Sequence, residues 1–225
     1  MPKAYFNADS SIPTPNQEYV LWIDIMGTNN FMSVSQKTSA NFICKLHMQI
    51  LSDKSENMSI YPVMDGAYIT TKSGEEMKKF IEDVFLDLSE IFISEKDILH
   101  QFIVKGALSY GPVIHGKDIT IAECYRDYMS SILLGMPMIQ AHKGEKLAPP
   151  FGIYCDESVR MHDSSFSYRW FLWWKNGWKN DSSKKKKMTN ALDDYYKYYK
   201  ENAYKMDYEK SKIEEHEEKA NEYFR

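Results

Sequence analysis

Tyr19-Val20-Leu21-Trp22-Ile23-Asp24-Ile25-Met26 is a strand-length run of β-branched and aromatic residues that breaks at Gly27 and carries one carboxylate. Burying Asp24 as an ion inside such a run is costly unless something positive lies against it. A divalent metal is the usual remedy. A lysine partner or a turn cap is the plain alternative.

Downstream, Thr28 or Asn29 can cap a helix, and Phe31, Val34, Phe42, Leu46, Ile50 and Leu51 continue at broadly helical spacing. Two short β-type runs, Met58 to Met64 and Ala67 to Thr71, flank Asp65-Gly66 as a hairpin. From Glu75 to about Ile93, apolar residues from Met77 to Phe92 recur every three or four positions and predict an amphipathic helix. His100 to Tyr110 then reads as a strand, followed by Gly111-Pro112-Val113-Ile114-His115-Gly116. The order β-α-β-β-α-β predicts an α/β (α+β) fold with a ferredoxin-like core. That topology sets the third strand beside the first, so the hairpin carrying Asp65 meets the end of the strand carrying Asp24. Two converging carboxylates imply a metal site or a shifted pKa. Read alone, Asp65 before glycine is equally a turn residue.

Ile119 to Ala122 is expected as a short strand, and Gly135 to Glu145 as a turn into a helix with Pro137 in its first turn. Pro149 to Cys155 reads as a turn and strand, Asp156 caps a short helix to about His162, and Phe166 to Trp174 is the expected final strand. Lys175 to Lys187, with four consecutive lysines, reads as a linker or exposed loop. Beyond Met188 the chain is dense in Lys, Glu and Tyr, and its stripe of Tyr195, Tyr199, Tyr204 and Tyr208 predicts a solvent-exposed helix. The expected organisation is an N-terminal extension over 1–18, a compact catalytic domain over 19–178, and a lysine-rich linker with a charged helical tail over 179–225.

A formal charge of −4 argues against a dedicated nucleic-acid surface. Cys44, Cys124 and Cys155 form no CxxC pair and read as reduced thiols. Met1 to Asn16 lacks the apolar core of a signal peptide, and no segment reaches the roughly 18 apolar residues that span a bilayer. A soluble, cytoplasmic protein without membrane insertion is expected.

Three motifs in this order resemble the class III nucleotide cyclase catalytic domain over about Tyr19 to Trp174: Trp22-Ile23-Asp24-Ile25-Met26-Gly27, Met64-Asp65-Gly66, and Lys105 through Gly116. The resemblance implies that Asp24, Asp65 and the Ile25 carbonyl hold two divalent ions, Mn2+ or Mg2+. One ion would activate the 3′-hydroxyl of a nucleoside triphosphate and the other would clamp its phosphates. Backbone groups of Met26, Gly27, Thr28 and Asn29 are then expected to receive the phosphate tail. It also implies a homodimer with shared active sites.

The departures point away from a purine. Where purine cyclases carry a base-reading Lys four residues before the second metal Asp, this chain has Tyr61, and where they often have a base-contacting Asp three residues before Gly135, it has Ile132. A tyrosine at this place resembles the pyrimidine cyclases of the Pycsar anti-phage defence systems, whose cyclic product switches on a separate effector. Tyr61 is otherwise a sheet aromatic. The usual transition-state Asn and Arg are replaced by Ile139 and Lys143, of which Lys143 can still offer positive charge to the leaving phosphates. Arg126 is a second candidate phosphate contact, or one half of an Arg-Asp surface pair. Lys105 is a candidate substrate contact, an Asp24 partner, or a snorkelling surface residue. The expected activity is conversion of UTP, or CTP, to the 3′,5′-cyclic monophosphate and pyrophosphate. The rivals are a purine cyclase and a catalytically silent nucleotide-sensing domain.

Overall fold

The computed structural model describes residues 6–28, 32, 35–179, 181–203 and 208–225. Asn29, Phe31, Val34 and Tyr204, all used above, lie outside the described residues. The strands are β1 (Asn16–Ile25), β2 (Ser59–Val63), β3 (Gly66–Thr71), β4 (Val104–His115), β5 (Leu133–Leu134), β6 (Ile153–Cys155) and β7 (Trp170–Phe171). The helices are α1 (Ala8–Ser11), α2 (Gln36–Asp53), α3 (Gly74–Ser94), α4 (Arg126–Ser130), α5 (Met136–Gly144), α6 (Glu157–His162), α7 (Trp173–Gly177), α8 (Ser182–Glu201) and α9 (Lys210–Tyr223).

The sheet order is β2-β3-β1-β4-β6-β7, with β5 paired to β4. The neighbours are antiparallel except β4 and β6, which run parallel. The expected β-α-β-β-α-β order is present, and β1 lies between β3 and β4.

Side chains along β1 alternate between two apolar layers, as the pleat requires. Leu21, Ile23 and Ile25 meet Phe42, Leu46 and Ile50 of α2 and Phe80, Val84 and Leu88 of α3 in the main core. Val20 and Trp22 face the other way, into a smaller cluster with Tyr61, Tyr68, Val113, Leu133 and Ala141 of α5. Asp24 shares the parity of Val20 and Trp22, so it stands on the thinly covered face.

Four expected elements differ. Helix α2 begins at Gln36, and its N-cap is Ser35, whose hydroxyl accepts the Thr38 amide, rather than Thr28. Residues 119–122 form no strand; the Thr120 amide instead donates to the Ser11 carbonyl. Most of 166–174 is not extended, and only Trp170 and Phe171 pair with β6.

The largest correction concerns the C-terminal region. Lys184 to Lys187 lie inside α8, whose N-cap Asp181 accepts from the Ser183 and Lys184 amides. Lysine is a good helix former, and Lys184 is held by Glu90 at 2.7 Å. The tail is not a solvent-exposed helix: Met188, Leu192, Tyr195, Tyr196 and Tyr199 of α8, with Ile213, Ala220, Tyr223 and Phe224, belong to the main core. Tyrosine buries a large apolar ring, so a tyrosine stripe anchors a helix well.

Candidate active site

The site is built on the end of β1. Asp24 is directly opposite Lys105 of β4, while Ile23 pairs with Ala67 of β3. Val63 pairs with Gly66, so the hairpin turn consists of Met64 and Asp65, with Met64 left-handed at φ 53°. Gly66 is therefore the first residue of β3, not part of the turn. A Cβ there would sit 2.4 Å from the Ile23 carbonyl oxygen. Only glycine lets the hairpin close onto β1 and bring Asp65 to Asp24.

The Asp24 carboxyl is raised to about 7, first by burial, then by Asp65 and Glu145. The Ile25 amide and Lys105 offset this only in part. Its Oδ1 is buried with no hydrogen-bond partner among the described residues. A buried carboxylate oxygen without a donor, facing two further carboxylates, is an environment that calls for a cation. Lys105 does not supply it, because its ammonium lies 2.8 Å from Glu145 with side chains only 13% and 11% exposed. Lys105 is thus neither the partner of Asp24 nor a snorkelling surface residue.

A cleft of about 380 Å3 opens over this end of β1, lined by Asp24, Ile25, Met26, Gly27, Lys105 and Glu145 from the sheet side. The opposite wall is Tyr208, Glu209, Lys212 and His216 of the C-terminal segment. His216 is lowered to about 4, chiefly by burial and then by Lys105, and Tyr208 bonds its Nδ1 at 2.6 Å. It is neutral at pH 7.

The loop after β1 is only partly available to a phosphate tail. Gly27, left-handed at φ 77°, lines the cleft. The Met26 amide is already donated to the Ile103 carbonyl at 2.8 Å, so it cannot serve as expected. The Thr28 hydroxyl donates to the Ile25 carbonyl at 3.2 Å, bracing a proposed ligand oxygen. Asn29 lies outside the described residues.

The other expected site residues stand away from this cleft. Tyr61 is only 4% exposed, and its hydroxyl is hydrogen-bonded to His115 Nδ1, whose Nε2 lies 3.0 Å from Glu18. Burial pushes the phenol up to about 12. Ile132 is half-buried, and its carbonyl accepts the Gly116 amide. Lys143 is exposed on α5, as is Ile139. Arg126 forms an exposed pair with Glu123 at 2.9 Å, the surface role named as its alternative, though with a Glu as partner.

Sequence reasoning missed Glu145, the C-terminal wall, and the Glu18–His115 pair. Glu18 had a signal, since it shares the β1 parity of Asp24. Glu145 had none, as it caps the end of α5 and reaches Lys105 only through the fold.

Among the described residues no group of three or more His, Cys, Asp or Glu side chains is arranged to hold an ion. Two aspartates and a carbonyl fit an ion whose remaining ligands come from a bound phosphate. Among the described residues no helix is long and apolar enough to cross a membrane.

This sheet, with its helices and its paired-aspartate edge, has the fold of a nucleotide cyclase catalytic domain. The chain is similar to the monomeric guanylyl cyclase domain of the RhoGC fusion protein from the aquatic fungus Blastocladiella emersonii, at 18% identity over 69% of this chain and 90% of that one, TM-score 0.53. A dimeric form of that fungal domain matches at 17% identity over 68% of this chain and 86% of that one, TM-score 0.52. A bacterial light-regulated adenylyl cyclase matches at 15% identity over 69% of this chain and 47% of that one, TM-score 0.54. No protein-family model and no curated protein matches the sequence.

Proposed function

We propose that the chain is a metal-dependent pyrimidine nucleotide cyclase, taking UTP ahead of CTP, that works as a homodimer. The observation that carries the cyclase reading is the unpartnered, buried Oδ1 of Asp24 beside Asp65 and Glu145, at the β1 edge of a cyclase fold. Asp24, Asp65 and the Ile25 carbonyl would hold the divalent ions. When bound, these ions supply Lewis-acid activation of the 3′-hydroxyl and charge neutralisation of the phosphates.

The chain's own residues set the stage for that chemistry. The hydroxyl oxygen bonds to the α-phosphorus, its proton leaves, and the bond to pyrophosphate breaks. Thr28 fixes the Ile25 carbonyl, Gly66 fixes the approach of Asp65, and the Lys105–Glu145 pair walls the cleft. Lys143 and Arg126, exposed away from this cleft, fit contributions made to a partner's site across a dimer.

The base choice rests on position 61. A neutral phenol locked to His115 offers no cation to a purine. Ile132 likewise offers no carboxylate. The Pycsar resemblance adds an anti-phage role and a downstream effector switched on by cyclic UMP or CMP.

The test is incubation with ATP, GTP, CTP and UTP in turn, with Mn2+, followed by mass analysis. A cyclic pyrimidine monophosphate is expected. Cyclic AMP or GMP would remove the base argument and keep the reaction. No product from any of the four would leave a nucleotide-sensing domain.

A further inference from the structure

The C-terminal helix is a wall of the Asp24 cleft, and nothing in the cyclase reading uses it. Its position is fixed by the core: Ile213 and Phe224 are 0% and 1% exposed, and the Tyr223 hydroxyl donates to the Phe171 carbonyl at 2.5 Å. Lys212 immediately precedes the fully buried Ile213. Its backbone is therefore held at the cleft, while its side chain remains 60% exposed.

The charges of the cleft do not balance for an anionic ligand. Asp24, Glu145 and Glu209 contribute carboxyl groups, and Lys105 is committed to Glu145 in a largely buried pair. Among the described residues Lys212 makes an exposed contact with Glu209 at 3.5 Å, the kind of pair that contributes little and rearranges easily. A triphosphate entering here adds several negative charges to those of Asp24, Asp65 and Glu209, and two divalent ions do not offset the sum. A lysine on a flexible stem suits the distal phosphates, where a mobile point charge is enough.

We propose that Lys212 binds the β- and γ-phosphates of the nucleoside triphosphate, so that the C-terminal helix completes the substrate site within the same chain. This rests on the reading of the cleft as a nucleotide site. Lys212 is then a substrate-binding residue, with Ile213 and the tyrosine-lined core beneath it setting its position.

The test is calorimetric titration of the full chain, in Mn2+, with the non-reacting α,β-methylene analogues of UTP and ATP, beside UMP and AMP. For the analogue that the wild type binds, Lys212→Ala is expected to weaken affinity by about tenfold, as for loss of one charge-assisted contact. The matching monophosphate should bind as before, and Lys212→Arg should recover the triphosphate to within about threefold. Unchanged triphosphate affinity in Lys212→Ala, or equal losses for triphosphate and monophosphate, would overturn the assignment and leave the nucleotide site standing. A wild type that binds neither triphosphate analogue, nor the matching CTP and GTP analogues titrated beside them, would overturn both. Lys212 is exposed, so the variant is expected to fold, and unchanged circular dichroism checks this.

Discussion

Lys105 stands directly opposite Asp24 across the β1–β4 pairing, yet its ammonium is bound to Glu145 at 2.8 Å. The arrangement leaves the Asp24 carboxyl without a dedicated cation and surrounds it with acids. Removing the lysine should therefore hurt twice, by stranding Glu145 and by raising the acid crowding at Asp24. Lys105→Met is expected to lower stability by about 3 kcal/mol, the usual cost of breaking a buried pair. Lys105→Met with Glu145→Gln should regain most of the loss. Urea unfolding midpoints of the three proteins check this.

Asp24 itself should trade stability for function. Its folded-state carboxyl is raised to about 7 from the ordinary 3.8. Below the unfolded value both states are protonated and no penalty exists. As pH rises the unfolded chain ionises first, so this group takes stability away until the folded pKa is passed. In a chelating buffer, Asp24→Asn is expected to be more stable than wild type at pH 8, by about 2 kcal/mol after allowance for partial exposure, and equal to it near pH 3. The same variant should lose Mn2+ binding, read by titration calorimetry.

The meeting of Asp24 and Asp65 was legible because it follows from the element order. An unbroken apolar run in β1 and a period of 3.6 in α3 mark the elements, and their order gives the neighbouring strands. The C-terminal wall was not legible. Tyr195 and Tyr199 read as a weak stripe on any scale that charges tyrosine for its hydroxyl, although their rings are 3% and 1% exposed. The Lys105–Glu145 pair was hidden for a different reason. Glu145 closes the segment read as a helix, and the sequence carries no sign of which cation a carboxylate at that end will reach.

Glu18 and His115 form a second buried polar contact, each with a side chain 5% exposed. Burial alone would raise the Glu18 carboxyl, but His115 first, then the Thr70 hydrogen bond and the Lys72 charge, outweigh it, and the pKa falls below its ordinary value. A lowered folded pKa stabilises above the unfolded value and is lost as pH falls through the folded one. Glu18→Gln is expected to cost about 1–2 kcal/mol at pH 7, with the gap to wild type closing below about pH 4. Thermal melts across this range measure the difference.

Phe224 decides whether the C-terminal segment is an appendage or part of the core. Its ring stacks on Trp178 with centroids 5.8 Å apart, and Tyr223 meets it edge-on at 4.9 Å. An appended helix could lose this ring at little cost, because the sheet and its helices would keep their own contacts. Here Trp178 also packs edge-on against Trp173 at 5.1 Å, and Trp173 in turn reaches Phe85 of α3. A cavity at Phe224 would therefore open onto the layer that supports the sheet. Phe224→Ala is expected to cost about 3–4 kcal/mol. Truncation after Ala203 should go further and give a chain without a cooperative melt, since it uncovers Trp178 and the tyrosine cluster of α8. A truncated chain that melts at the wild-type temperature would show that the core closes without α9.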